Sequence, residues 1–142
     1  MKLLQIDSTN IDLLYQFTMN RDEISHFFRY FEKRDPLFVV QKQHIYTIVG
    51  IDEINNKVIG YGHIDHENKY WLGICILNSY HGKGYGKQIM DSLITYADTN
   101  HILLSLSVDI QNTNAIQIYT KYRFVEEKQT DTILYMIRYP II

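Results

Sequence analysis

The pattern of apolar residues predicts a single mixed α/β domain, and three features carry the prediction. Three β-rich runs, Ile45 to Asp52, Lys57 to Asp65 and Tyr70 to Leu77, follow one another with short breaks. A glycine-rich stretch, His81-Gly82-Lys83-Gly84-Tyr85-Gly86, comes just after the last run and opens a segment with Ile89, Met90, Leu93, Ile94 and Ala97 at helical spacing. Strand-like and helical segments then alternate again, so the two kinds of element are interleaved.

Lys2 to Ile6 reads as a short strand. Ser8 or Thr9 can cap a helix that carries Ile11, Leu14, Tyr15 and Thr18 on one side. A second helix is expected from Asp22 to Glu32, ending before Asp35-Pro36. The first two β-rich runs are joined through Asn55-Asn56, which tolerate left-handed turn geometry. After the glycine stretch and its helix, the apolar centre of Ile102 to Asp109 marks a buried strand. A helix from about Asn112 to Lys121 follows, and Val125 to Lys128 and Thr132 to Arg138 close the chain as an antiparallel pair. The resulting order is β-α-α-β-β-β-α-β-α-β-β.

The glycine stretch is a phosphate cradle in outline. Glycines at alternate positions let the backbone approach an anion, and the helix behind them presents unpaired N–H groups at its positive end. Two familiar phosphate loops do not fit. Lys87 stands where the dinucleotide fingerprint needs its last glycine, and Gly86-Lys87 is followed by Gln88 instead of the Ser or Thr that holds magnesium.

The segment Asn78-Ser79-Tyr80-His81-Gly82-Lys83-Gly84-Tyr85-Gly86-Lys87-Gln88 lies upstream of a second block. There Asn112-Thr113-Asn114-Ala115-Ile116 opens a helix, and Tyr119 is followed by Lys121-Tyr122-Arg123-Phe124. In order and spacing the two blocks resemble the GCN5-related N-acetyltransferase (GNAT) superfamily. The resemblance implies the GNAT acyl-CoA N-acyltransferase fold, a twisted mixed sheet of roughly six to seven strands flanked by about four helices. Two strands would splay apart, those ending near Leu77 and starting near Ile102. It also implies acetyl-CoA as cosubstrate, with no metal, contacted by Ile76, Leu77, His81, Gly82, Lys83, Gly84, Tyr85, Gly86, Lys87, Asn112 and Tyr119. Two residues depart from the family pattern. His81 replaces an Arg or Gln expected near the pyrophosphate, and Arg123 replaces the Gly that usually precedes Phe124.

Acetyl transfer to an amine needs a neutral amine, a polarised carbonyl and a proton for the departing thiolate. By resemblance Tyr119 supplies that proton, although a core aromatic on an apolar helix face would look the same. A backbone N–H near Ile76 or Leu77 would hold the carbonyl. Many family members carry a Glu on the fourth strand, but Trp71-Leu72-Gly73-Ile74-Cys75-Ile76 contains no acid. The candidate bases are His63 and Asp65, two apart and so on one face, with Asp109 as a third candidate and a solvated strand end as the plain alternative. His63 and His66 point to opposite faces and cannot share a metal. Cys75, in an apolar strand, reads as core.

The acceptor side is expected in the first third. Arg29 and Lys33, one helical turn apart within Phe27 to Arg34, would join His63 and Trp71 in gripping an anionic, ring-containing acceptor such as a nucleotide-linked amino sugar. A helix with one solvated basic face explains the same residues. Arg34, rotated away, is expected to matter less than Arg29.

Composition sets outer limits. A chain of 142 residues with 46% hydrophobic and 21% charged residues suits one globular domain. No run of about 18 apolar residues occurs, and early Asp7, Asn10 and Asp12 argue against a signal peptide, so a cytoplasmic location is expected. A net charge of −2 gives no general attraction for nucleic acid or membranes. A single cysteine allows no internal disulfide. The leading expectation is an N-acetyltransferase acting on a small-molecule amine, with a homodimer as the candidate assembly. Acetylation of protein N-termini or lysines, and a non-catalytic coenzyme A-binding module, are the competing classes.

Overall fold

The computed structural model of the protein describes residues 1–141. Its elements run β1 (Lys2–Gln5), α1 (Asp12–Thr18), α2 (Pro36–Lys42), β2 (His44–Asp52), β3 (Lys57–Glu67), β4 (Lys69–Ile76), α3 (Tyr85–Thr99), β5 (Leu104–Asp109), α4 (Thr113–Lys121), β6 (Val125–Gln129) and β7 (Ile133–Arg138). The strands form one sheet in the order β1-β2-β3-β4-β5-β7-β6. Neighbours are antiparallel except β4 and β5, which run parallel.

The sheet has a core on each face. Ile89, Met90, Leu93, Ile94 and Ala97 of α3, the stripe expected from the sequence, pack on Ile64, Leu72, Leu104 and Leu106. On the other face Leu14 and Phe17 of α1 gather with Ile59, Tyr61 and Cys75. Fully burying a side chain of this kind stabilises by about 1.5–3 kcal/mol, so these two layers hold the helices against the sheet. Alternation along β3 sends Tyr61, His63 and Asp65 to the α1 face, while a Cβ at Gly62 would meet Ile89 and Leu93 of α3.

The predicted strands are present with ends shifted by one or two residues, and Asn56 takes the left-handed conformation expected of the β2–β3 turn, with φ of 51°. Two helix expectations fail. Residues 22–32 form no helix, only single 3₁₀ turns at Arg21–Glu23 and Tyr30–Glu32. Ser25 Oγ accepts the Phe27 N–H, a local bond that competes with a helical one, and Phe28 and Phe31 close around Tyr61 at ring distances of 5.9 and 5.2 Å. The second helix is α2 instead. Asp35-Pro36 starts it: Asp35 caps it by accepting from Phe38 N, and Pro36 holds the first helical position, where a missing N–H costs nothing. Ser8 and Thr9 cap nothing; α1 begins behind Ile11 without a side-chain cap, and Asp7 Oδ1 takes the Thr9 N–H.

Arg123 keeps the left-handed geometry that its family's glycine would adopt, with φ of 74°. Such a conformation costs a residue with a side chain about 1–2 kcal/mol. The bond from Phe124 N–H to Tyr119 C=O at 3.1 Å and the burial of Phe124 offset it.

Candidate active site

β4 and β5 pair only at Tyr70–Leu104 and Trp71–Ser105. Beyond that point β4 stays with β3 up to Ile76, while β5 follows β7 to Asp109, so the two parallel strands part and leave a gap. The Leu77 N–H donates to Ile59 C=O at 2.9 Å. In an antiparallel ladder bonded and non-bonded residues alternate, so Ile74 and Ile76 turn their peptide groups away from β3 and into the gap. This revises one expectation: the Leu77 N–H is already engaged, and Ile76 carries the one free to polarise a carbonyl. The Ile76 C=O accepts from His81 Nε2 at 2.8 Å, which ties the strand end to the glycine loop.

That loop reaches α3 through Gly82 and Gly84, whose φ angles of 77° and 81° exclude most other residues. A Cβ at either glycine would meet nothing within 4 Å, so the loop is open on its outer side. Gly84 is the N-cap of α3 and provides no side-chain acceptor, which leaves the first N–H groups of a 15-residue helix unpaired. Backbone N–H groups in this arrangement suit a phosphate group. Lys87 pairs with Asp91 at 2.9 Å, and Lys83 stands over the Tyr80 ring at 5.4 Å, so the anion site is built chiefly from backbone.

Across the gap, Asn112 caps α4 by accepting from Ala115 N at 3.4 Å. Tyr119 lies on the same helix, edge-on to Phe124. Burial, with a smaller push from Cys75 on β4, raises its phenol to about 12, so it enters any reaction carrying its proton. Burial likewise raises the Cys75 thiol to about 12, which removes it as a nucleophile. Asp109 accepts from Gln111 N at 2.9 Å and shapes the turn after β5.

The richest polar cluster lies on the α1 face of β2, β3 and β4. His63 and Asp65 are both 2% exposed, so they are no solvated strand end. The Tyr61 hydroxyl pairs with His63 Nδ1 at 2.5 Å, and the Tyr30 hydroxyl donates to Asp65 Oδ2. Tyr30 also meets His44 Nε2 at 2.9 Å, and His44 Nδ1 meets Thr47 Oγ1 at 2.8 Å. Burial is the main cause that lowers His44 to about 4 and holds His63 well below the usual histidine range, with Arg34 adding to both. Both imidazoles are therefore neutral at pH 7. Burial also pushes the Tyr30 and Tyr61 phenols up, Asp65 adding to each.

The His63 ring occupies the space over Gly73 of β4, where a Cβ would come within 2.7 Å of Nε2. A β3 histidine thus reaches the place where a β4 side chain would stand. His44, His63 and Asp65 offer ligand-type atoms within 4.8 Å of one another. The imidazoles are stacked at 4.6 Å and 21°, so their in-plane lone pairs run side by side instead of converging on one ion.

Trp71 is half-buried, opposite Asp65 in the β3–β4 register, and its Nε1–H donates to Glu67 C=O at 3.2 Å. Arg29 and Lys33 are exposed and, with no helix at 22–32, do not share a helical face. Arg34 is the cation nearest the cluster: its guanidinium covers the Tyr30 ring at 4.4 Å and donates to the Tyr30 C=O at 3.1 Å. Tyr30, His44, Thr47 and Tyr61 were not singled out by the sequence. A lone histidine before a β-rich run and a tyrosine in an aromatic stretch look like ordinary core until strand register brings them together.

The profile of the Acetyltransferase (GNAT) family matches residues 11–124. A search of curated proteins finds no match. Among solved structures, an acetyltransferase of the GNAT family from Streptococcus pneumoniae is similar at 18% identity, with 98% of each chain covered and a TM-score of 0.77. The ribosomal-protein-S18-alanine N-acetyltransferase of Escherichia coli is 17% identical, with 99% of this chain and 94% of that one covered and a TM-score of 0.74. A spermidine N-acetyltransferase from Vibrio cholerae is 18% identical, with 97% and 92% covered and a TM-score of 0.68. With a family profile spanning most of its length, a seven-stranded sheet that parts between β4 and β5, and a glycine loop at the head of α3, the chain belongs to the GNAT acetyltransferase family.

Proposed function

We propose that this protein transfers the acetyl group of acetyl-CoA to a primary amine of a small molecule. The observation that carries the reading is the strand gap, with an anion cradle at its head, a protonated phenol on one side and a buried histidine–carboxylate cluster on the face of β3 and β4. Acetyl-CoA, when bound, supplies an acetyl thioester. The N–H groups of Gly82 to Lys87 hold its pyrophosphate, and the Ile76 N–H donates to a carbonyl oxygen, a contact typically worth about 2.7–4 kcal/mol in a transition state. An alkylamine is protonated at pH 7, with a pKa of roughly 10, so the site must take a proton from it. His63 and Asp65 relay that proton through water without keeping it, and Tyr119 gives one to the departing sulfur.

Among small amines, one that carries an anionic ring-containing group, such as a nucleotide-linked amino sugar, suits the cations of the Arg29–Arg34 segment. Arg34 leads them because it packs on Tyr30, with Arg29 and Lys33 further out. The names of the similar structures, a spermidine and a ribosomal-protein acetyltransferase among them, make a polyamine and a peptide amine the natural competitors.

Purified protein should be incubated with acetyl-CoA and, separately, spermidine, glucosamine, a nucleotide-linked amino sugar and an alanyl dipeptide. Thiol release and the mass of the acceptor are then followed. Acetylation of a small amine in preference to the dipeptide supports the reading, and preference for the dipeptide replaces it with peptide acetylation. Cofactor binding by calorimetry without turnover on any amine points to a non-catalytic module.

A further inference from the structure

Asp65 Oδ2 accepts the Tyr30 hydroxyl, whereas Oδ1 is buried and has no hydrogen-bond partner among the described residues. A carboxylate only accepts, and that fixes the direction of everything attached to it. Tyr30 donates its one proton to Asp65, so its oxygen must accept from His44, and His44 carries its proton on Nε2. His44 Nδ1 is then an acceptor, and the Thr47 hydroxyl donates to it. This assignment requires a neutral imidazole, the form that burial imposes on His44. Thr47 and His44 on β2, Tyr30 on the 3₁₀ turn before α2, and Asp65 on β3 therefore form one chain of donors that all point at a single carboxylate oxygen. Arg34 locks its middle by stacking on the Tyr30 ring and bonding the Tyr30 carbonyl.

We propose that Tyr30 and His44 are positioning residues of the acceptor site, which hold Asp65 through Oδ2 and leave the buried, unpartnered Oδ1 as the acceptor for an N–H of the incoming amine. A buried carboxylate oxygen without a donor is unfavourable, and the Thr47–His44–Tyr30 chain ends on the other oxygen. What the site lacks is a hydrogen-bond donor. A primary amine or ammonium provides it, whereas a phosphate or carboxylate at this point would set acceptor against acceptor. The anionic part of an acceptor would therefore lie outward, toward Arg34, with its amine inward at Asp65. The proposal rests on the reading that the His63–Asp65 cluster serves the acceptor.

The test combines spectroscopy with kinetics on the full chain. In nitrogen-15 histidine-labelled wild-type protein at pH 7, two-bond imidazole correlations should show His44 as the Nε2–H tautomer. The Nδ1–H tautomer would overturn the proposal, and this measurement depends on no variant folding. With the best amine of the panel above, Tyr30→Phe should lower kcat about 10- to 100-fold while the KM for acetyl-CoA stays within about twofold. His44→Gln, whose carboxamide N–H can still donate to Tyr30, should keep most of the activity that His44→Leu loses. Wild-type kcat in both Tyr30→Phe and His44→Leu, with Asp65→Asn inactive, overturns the positioning role alone. Wild-type kcat in Asp65→Asn removes the acceptor-site reading beneath it.

Discussion

The imidazole of His63 fills the space above Gly73: a Cβ at that position would stand 2.7 Å from His63 Nε2, closer than real side chains pack. Two strands thus share one residue's worth of volume, with the side chain coming from β3 and the vacancy from β4. Gly73→Ala should displace the ring while leaving the sheet paired, because Gly73 has an ordinary strand conformation. A shift of about 1 Å in a catalytic group can cost roughly 100-fold in rate. The expected outcome is a large loss of kcat with an unchanged far-ultraviolet circular dichroism spectrum; unchanged kcat would separate His63 from the chemistry.

The glycine loop gives a binding prediction of a different kind. Gly84 has open space where its side chain would be but a φ of 81°, so Gly84→Val is disfavoured by backbone conformation and not by a clash. The loop should relax to another shape and lose its aim at the anion. Titration calorimetry should show acetyl-CoA affinity reduced at least about tenfold, roughly 1.4 kcal/mol. Gly86→Glu should weaken binding as well, by placing a negative charge in the first turn of α3 beside the pyrophosphate. Unchanged affinity in both variants would remove the cradle assignment.

Tyr119→Phe should reduce kcat by about 10- to 1,000-fold and leave acetyl-CoA affinity nearly unchanged, since the role proposed for the hydroxyl begins only as sulfur departs. The phenol is half-buried and holds its proton up to about 12, so no loss of this role is expected on the alkaline side below pH 10. Single-turnover measurements would isolate the chemical step. A variant within about twofold of wild type there would assign the proton donor elsewhere.

Buried neutral histidines also make the fold acid-sensitive. His44 and His63 bind protons near pH 6.5 when unfolded, but burial lowers His44 to about 4 and His63 well below 6.5 in the folded protein. Between those values the unfolded state carries more protons, so stability falls as pH drops from about 6.5 toward 4. Each such group contributes at most about 1.4 kcal/mol per pH unit across its window. Melting temperature should therefore decline between pH 6.5 and about 5.5, above the range in which carboxylates titrate, and His44→Gln should flatten part of the decline. A melting temperature independent of pH over this range would contradict the lowered proton affinity of both rings.

The sequence by itself determined the order of strands and helices, the α3 stripe from Ile89 to Ala97, and the anion loop. These depend on local periodicity and on backbone freedom at Gly82 and Gly84, which neighbours in the chain reveal. It also placed His63 and Asp65 on one face, because alternation along a strand is local. It misread residues 22–32, where aromatic side chains at near-helical spacing are drawn onto Tyr61, and it took Asp35-Pro36 for an end when capping chemistry makes it a beginning. Only the tertiary structure decided that His44 faces Asp65, that Tyr30 reaches across from an irregular segment, that Gly73 makes room for His63, and that Leu77 spends its N–H on Ile59. Each of these depends on strand register or on the path of a segment without regular structure, and both are set by packing between residues far apart in the chain.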